Sequence, residues 1–323
     1  MIEVGERAPD FALPTGEEGA TRFYGQVGGA TSLLVLAGND SERGADLADR
    51  LRDDLGIDVA LVACSPPSDG RAAYRDPEGG VHGAYDVDPD GGAVVLVLDP
   101  NVRVAATHGP ITDVAADLDE VAGSVRALAD DRAGSVVQGH APVLLVPGAI
   151  SEDLCDEVIA LWEAADPVET GVETMADGRR VDALDHLRKR RRDHIVTDRE
   201  FQRLLTSHIG RRVIPELKKA FAYDASRFEG FKIGCYTDED EGFFAAHRDN
   251  LSEATAHRRF ALSVNLNAPD DYDGGGLCFP EYGPDVYRPD RGEALVFSGS
   301  HLHEVQPVTR GRRFVLLSFL FGR

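Results

Sequence analysis

With 323 residues and a hydrophobic share of 42%, the chain is long enough for two ordinary domains, each with its own core. Its 34 basic residues stand against 56 acidic ones, a net charge of −22. Such a surface repels nucleic acid and anionic membrane, both of which are bound through Lys and Arg, so neither is an expected partner. No apolar run of about 18 residues is present to span a bilayer, and Met1 to Glu6 lacks the basic start and apolar segment of a secretory signal. The default expectation is a cytoplasmic location. Cys64, Cys155, Cys235 and Cys278 contain no CxxC pair, which excludes a zinc knuckle or a thioredoxin-type redox pair. They are expected to be reduced and to serve as small core hydrophobes.

In chain order, residues 32–36 read as a buried strand, and 41–55 has helical spacing of Ala45, Leu47, Leu51 and Leu55. Residues 59–63 and 94–98 are two further strands. The latter turns at Asp99-Pro100-Asn101 into 102–106, and a helix follows over 111–129. This alternation predicts an α/β layer structure. The opening Val4-Gly5-Glu6-Arg7-Ala8-Pro9-Asp10-Phe11 and the hairpin Val97-Leu98-Asp99-Pro100-Asn101-Val102 resemble the peroxiredoxin group of thioredoxin-like proteins, over residues 3–130. That resemblance implies a peroxide-attacking thiol in a Pro-x-x-x-Thr/Ser-x-x-Cys segment soon after the first strand. Here the chain runs Ala37-Gly38-Asn39-Asp40-Ser41-Glu42, and no Cys occurs before Cys64. A nucleophilic thiol needs surroundings that lower its pKa, which nothing around Cys64 suggests. Residues 1–135 are therefore expected to form a non-catalytic thioredoxin/peroxiredoxin-like domain that serves as a scaffold or docks a protein partner. The Asp-, Gly- and Ser-rich stretch 130–141 is the expected boundary.

After it, 142–147 reads as a strand, and Ser151 is an N-cap for a helix carrying Leu154, Val158, Ile159 and Leu161 on one face. One helix is expected over 198–220, from Phe201, Leu204, Leu205, Ile209, Val213, Ile214 and Leu217. The basic run Arg188-Lys189-Arg190-Arg191-Arg192 lies in a polar, helix-like stretch beside Asp185 and Asp193. It reads as a solvated or internally paired face rather than a nucleic-acid patch. From Gly230 onward, eight short strands are expected at 231–236, 242–248, 259–267, 276–279, 286–288, 293–298, 302–305 and 313–321. That count, with frequent turns, argues for a jelly roll or another closed β architecture.

Within these strands lie His247-Arg248-Asp249, Gly275-Gly276-Leu277-Cys278-Phe279-Pro280, and His303 followed by Arg313. Two imidazoles and one carboxylate are a minimal set for a ferrous ion that keeps coordination positions open. His301, two residues before His303, competes for the third position. The interval to Arg313 and the intervening Pro307 favour His303. A planar guanidinium at Arg313 suits bidentate carboxylate binding.

These motifs, in this order, resemble the prolyl 4-hydroxylase-like branch of the Fe(II)- and 2-oxoglutarate-dependent dioxygenases, over residues 140–323. The resemblance implies an α+β domain with a double-stranded β-helix (jelly-roll) core. It also implies Fe(II) held by His247, Asp249 and His303, with 2-oxoglutarate gripped by Arg313 and helped by Tyr236. Asn265 faces a comparable place, where one branch has tyrosine. The implied activity is hydroxylation of an unactivated C–H with O2, on a small-molecule or protein substrate for which a prolyl residue is the family-based expectation. Ascorbate is an optional reductant. A non-catalytic sensor of metal or 2-oxoglutarate, or a partner-docking protein, is the alternative. Loops 250–258 and 268–274 are expected to rim the site, where Asp270, Asp271 and Asp273 would favour a cationic or neutral partner.

Overall fold

A computed structural model describes residues 2–15, 20–111, 114–128, 139–176 and 179–322. The chain divides into two compact units, Met1–Gly134 and Ser135–Arg323. Most of the expected boundary stretch 130–141 lies outside the described residues. Among the described residues, no helix is long and apolar enough to cross a membrane.

In the first unit, β1 (Ser32–Gly38) is buried along its whole length. It pairs in parallel with β2 (Asp58–Ala63), which pairs in parallel with β3 (Tyr74–Arg75). On its other side lies antiparallel β4 (Val94–Leu98), followed by β5 (Val104–His108). Helix α1 (Ser41–Leu55) starts where the Asp40 carboxylate accepts the Arg43 N–H, and it ends at left-handed Gly56. Its buried Ala45, Leu47, Ala48 and Leu51 pack with Leu33, Val35 and Leu61 on one face of the sheet, together with Val121 of α2 (Val114–Ala127). The opposite face carries Leu34, Leu36, Phe23, Tyr74 and Tyr85. At the α1 start the residues are Asn39, Asp40 and Ser41. Burial, with the charges of Asp76 and Asp90, holds the Cys64 thiol above its usual range, the opposite of what a nucleophile needs.

The second unit is built mainly of two antiparallel sheets. Its elements are β6 (Val143–Val146), α3 (Glu152–Ala164), β7 (Val168–Glu169), β8 (Lys189–Arg190), β9 (Arg192–Ile195), α4 (Arg199–Arg212) and α5 (Ile214–Phe221). There follow β10 (Lys232–Thr237), β11 (Phe243–His247), β12 (Phe260–Asn265), β13 (Leu277–Cys278) and β14 (Val286–Tyr287). The chain closes with β15 (Ala294–Ser298), β16 (His303–Val305) and β17 (Val308–Phe321). The larger sheet runs β6-β15-β12-β17-β10-β9-β7 and the smaller β8-β11-β16-β13-β14. One face of the larger sheet buries Ile233, Cys235, Leu262, Val264, Phe314 and Leu316 against the helices, through Leu154, Val158, Leu205, Ile209 and Leu217. The alternate residues form a second cluster, Tyr236, Ala261, Leu295, Phe297 and Val315, with Leu277, Phe279 and Val305 of the smaller sheet. Each fully buried aliphatic side chain contributes about 1.5–3 kcal/mol, so these two clusters are what hold the sheets and helices together.

Two sequence expectations are corrected. The single helix expected over 198–220 is two, because Pro215, in the first turn of α5, has no N–H to continue the ladder. The basic run is not helical. Lys189 and Arg190 lie on β8, Arg192 opens β9 and Arg191 joins them, and alternation buries Lys189, Arg191 and Asp193 and leaves Arg192 exposed.

Candidate metal and cosubstrate site

His247 is the last residue of β11 and His303 the first of β16, and the two stand directly opposite in the ladder. The register shifts between Phe244 and His247, where three steps on β11 match two on β16. A bulge of this kind re-aims the side chain that follows it. Here it brings the two imidazole centroids to 4.2 Å. Asp249 lies beyond the strand end, fixed by its N–H donating to the Gly299 carbonyl at 2.9 Å. Gly299 also lets the Arg258 backbone come close, since a Cβ there would lie 2.8 Å from the Arg258 carbonyl oxygen.

The three side chains offer ligand atoms within 4.8 Å of one another. His247 Nδ1 lies 2.8 Å from the Ala245 carbonyl oxygen and His303 Nδ1 3.0 Å from that of His301. A carbonyl only accepts, so each Nδ1 carries the proton and each Nε2 keeps its lone pair. Both Nε2 atoms face Asp249, one to each oxygen, at 3.5 Å. Burial lowers the His303 pKa to about 4 against the pull of Asp249, so His303 is neutral near pH 7. Burial alone would raise the Asp249 pKa. The neighbouring His247 and His303 rings and the Arg258 guanidinium outweigh it, and the carboxyl is held below its ordinary value. Two imidazole Nε2 atoms and one carboxylate within 4.8 Å of one another fit a ferrous ion with open positions. His301 stands apart from this set, with its ring 5.1 Å from Tyr282 and 6.3 Å from Phe279.

Across the same apolar cluster, Tyr236 of β10 and Arg313 of β17 are register partners, with the guanidinium 5.8 Å from the Tyr236 ring. Arg313 is 3% exposed. Its Nη1 donates to the Gly275 carbonyl at 2.7 Å and its Nε to Asn265 Oδ1 at 3.4 Å, and both partners are neutral. Asn265 Oδ1 also accepts from the Tyr272 hydroxyl at 3.3 Å. The Gly275 motif acts here through its backbone, since a Cβ on Gly275 would lie 3.2 Å from Arg313 Cδ. Arg312, by alternation, points away to Glu163 at 3.0 Å, and Arg310 pairs with Asp273. His257 pairs with Glu229.

The sequence reasoning did not single out Tyr272 or Arg191. Arg191 Nη1 donates to the Tyr236 hydroxyl at 3.0 Å. The period-two alternation Lys189, Arg191, Asp193 was the available signal, hidden by the unbroken run of positive charge.

Comparison with known proteins bears on the same region. Residues 231–321 match the model of the 2OG-Fe(II) oxygenase superfamily. The procollagen-lysine,2-oxoglutarate 5-dioxygenase 1 of Mus musculus is 25% identical over 200 residues, covering 58% of this chain and 25% of that protein. A PKHD-type hydroxylase of Verminephrobacter eiseniae (strain EF01-2) is 30% identical over 110 residues, covering 34% of this chain and 44% of that one. The chain thus spans a quarter to under half of the length of these relatives. A solved prolyl-4-hydroxylase from Pseudomonas putida aligns with a TM-score of 0.42 at 16% identity, covering 57% of this chain and 94% of that one. The C-terminal region carries a 2OG-Fe(II) oxygenase domain, for which Fe(II) and 2-oxoglutarate are the cofactors.

Proposed function

We propose that the protein is an Fe(II)- and 2-oxoglutarate-dependent dioxygenase that hydroxylates an unactivated C–H bond. In this reading residues 140–323 form a double-stranded β-helix, with the ion held by His247, Asp249 and His303. The sequence resemblance to the prolyl 4-hydroxylase-like branch supports a prolyl target. Residues 1–135 form a thioredoxin/peroxiredoxin-like domain without the peroxidatic thiol, a docking module rather than a second catalyst.

The observation that carries the reading is Arg313. A buried guanidinium whose partners among the described residues are neutral is costly until an anion arrives, and a carboxylate matches its planar fork. The bound group would supply O2 activation coupled to oxidative decarboxylation of 2-oxoglutarate. The chain's own residues bind and orient. Arg313 would grip the far carboxylate, and Asn265 would position that guanidinium through its Oδ1, since its Nδ2 is taken by the Asn267 and Pro289 carbonyls. Tyr236 would place its ring and hydroxyl beside the carboxylate, and Phe279, Phe297 and Val305 would keep water from the His303 side. The Nδ1 hydrogen bonds to backbone carbonyls hold both imidazoles in the coordinating tautomer.

The test is succinate formation from 2-oxoglutarate by purified protein supplied with Fe(II). Turnover should vanish in His247→Ala and Asp249→Ala. Wild-type protein that binds 2-oxoglutarate but forms no succinate would favour the sensor reading instead.

A further inference from the structure

The inner side of β8, β9 and β10 carries a charge cluster that neither the metal ligands nor Arg313 uses. The Asp193 carboxylate, fully buried, accepts Arg191 Nε at 2.6 Å, Arg191 Nη2 at 3.1 Å and Lys189 Nζ at 3.2 Å. Lys232 Nζ stands 3.9 Å away. Thr170 completes the cluster, its hydroxyl donating to Asp193 and its oxygens accepting from Lys189. Lys232 also feels Glu229 and Arg258, which form their own bidentate pair and cancel. Among the described residues, three cations therefore converge on one carboxylate. Their side chains are only 5%, 7% and 36% exposed for Lys189, Arg191 and Lys232.

Buried charge is retained at low cost only when it is matched. A chain with 56 acidic residues has no shortage of carboxylates, yet among the described residues the ion-pair partner these three cations share is Asp193. Burial, then the neighbouring Arg191, lowers the Lys189 pKa to about 8, so the surplus is felt inside the cluster. The cluster also adjoins the site. Arg191 and Lys189 lie over the Phe244 ring at 5.9 and 5.6 Å, and that ring stacks on His247 at 3.6 Å. 2-Oxoglutarate does not need these cations. Its two negative charges are met by Arg313 and by a divalent ion carrying one carboxylate, Asp249. The rim acids do not need them either, since Asp273 pairs with Arg310 and Asp271 accepts the Ala268 N–H.

We infer that Lys232 and Arg191 form a subsite for an oxyanion, a carboxylate or phosphate carried by the substrate, with Lys189, whose three N–H donors are taken by Asp193 and Thr170, adding positive charge behind them. This rests on the dioxygenase reading and reverses the preference for a cationic or neutral partner drawn from Asp270, Asp271 and Asp273. The surplus of two cations suits one such group, and Lys232, the most exposed of the three, is its entry side. Arg191 would join the substrate's charge to the Tyr236 hydroxyl.

The test is calorimetric titration of the full chain, loaded with Zn(II) and 2-oxoglutarate, with acetate and separately with inorganic phosphate at fixed ionic strength. Wild type is expected to bind at least one of them at a single site, and the tighter of the two identifies the group. Lys232→Gln and Arg191→Lys should each weaken that binding at least fivefold, whereas Arg313→Gln should weaken 2-oxoglutarate instead. Lys232→Gln alters a partly exposed side chain, so it tests the subsite even if Arg191→Lys does not fold. Binding of neither anion, or equal binding in Lys232→Gln, overturns the inference while leaving 2-oxoglutarate binding intact. Loss of 2-oxoglutarate affinity in Lys232→Gln without loss of anion affinity would reassign the cluster to the cosubstrate and also overturn it. Failure of the wild type to bind 2-oxoglutarate at all would instead overturn the dioxygenase reading, and the subsite with it.

Discussion

His301 and His303 differ by two residues, and their surroundings separate them. His303 is buried, is neutral above about pH 4, and aims Nε2 at Asp249, whereas the His301 ring lies against Tyr282. Loss of a ligand costs more than loss of its support, so His303→Ala should weaken Zn(II) or Fe(II) binding by more than about 100-fold and His301→Ala by less than about tenfold. Competition against a chromophoric chelator measures both, and equal losses would move the third ligand. Asp193 gives a pH signature. Burial alone would raise its pKa, but Arg191, Lys189 and Lys232 bring it from 3.8 to about 2. The folded value lies below the unfolded one, so the unfolded chain takes the proton first. The stabilisation is whole above about pH 4 and is lost as pH falls towards 2, roughly 2 kcal/mol in all. Asp193→Asn should flatten that part of the acid-unfolding curve and cost about 3–5 kcal/mol near pH 7, because three cations lose their partner. Thermal unfolding across pH checks it, and an unchanged midpoint would show the cluster to be energetically idle. At this scale the sequence was legible where chemistry sits in a short motif, as at His247 and Asp249. Arg191 was not legible, because what it does depends on a strand alternation that a run of five basic residues conceals.

At the scale of elements, glycine turns set the geometry around Arg313. Gly274 has φ +74°, and a Cβ there would lie 2.1 Å from the Pro307 carbonyl oxygen. Gly275 has φ +63°, with its closest clash a movable side chain, Val308 Cγ2 at 2.9 Å. Gly274→Ala should therefore act on stability, costing about 1–3 kcal/mol for the backbone alone. Gly275→Ala should carry a similar backbone cost and in addition weaken 2-oxoglutarate about tenfold, a difference of about 1.4 kcal/mol, by pushing Arg313 aside. Chemical denaturation and 2-oxoglutarate titration of both variants separate the two effects, and identical profiles would contradict this division. All eight strands expected after Gly230 form, since Gly, Pro and Asp turns punctuate them and alternation marks their faces. The last begins at Val308 rather than Arg313, because Gly311, left-handed at φ +73°, stays in the ladder opposite Tyr272. The bulge before His247 left no mark in the pattern, since Ala245 and Ala246 are small enough for either face. The break at Pro215 was marked and was overridden by the apolar spacing on both sides of it.

At the scale of the molecule, charge dominates. A net charge of −22 over 323 residues sets like charges against one another across the surface, and this repulsion opposes the compact state. The surface pairs that offset it, such as Arg310 with Asp273 and Arg312 with Glu163, are half-exposed and individually worth about 1 kcal/mol or less. Salt weakens both terms, but the repulsion is longer in range and summed over many more pairs. The Debye length falls from about 30 Å at 0.01 M to about 3 Å at 1 M, so the distant repulsion is removed first. The midpoint of thermal unfolding should therefore rise with sodium chloride, with most of the gain above the concentration at which the screening length drops below the spacing of surface carboxylates. The Asp193 carboxylate and its partner Arg191 are buried and are screened far less than surface charges, so the increment should be nearly the same in wild type and Asp193→Asn. A midpoint that falls with salt would mean that attractive pairs, not net charge, govern the surface. An increment that differs between the two proteins would mean that the Asp193–Arg191 pair itself is screened by solvent ions.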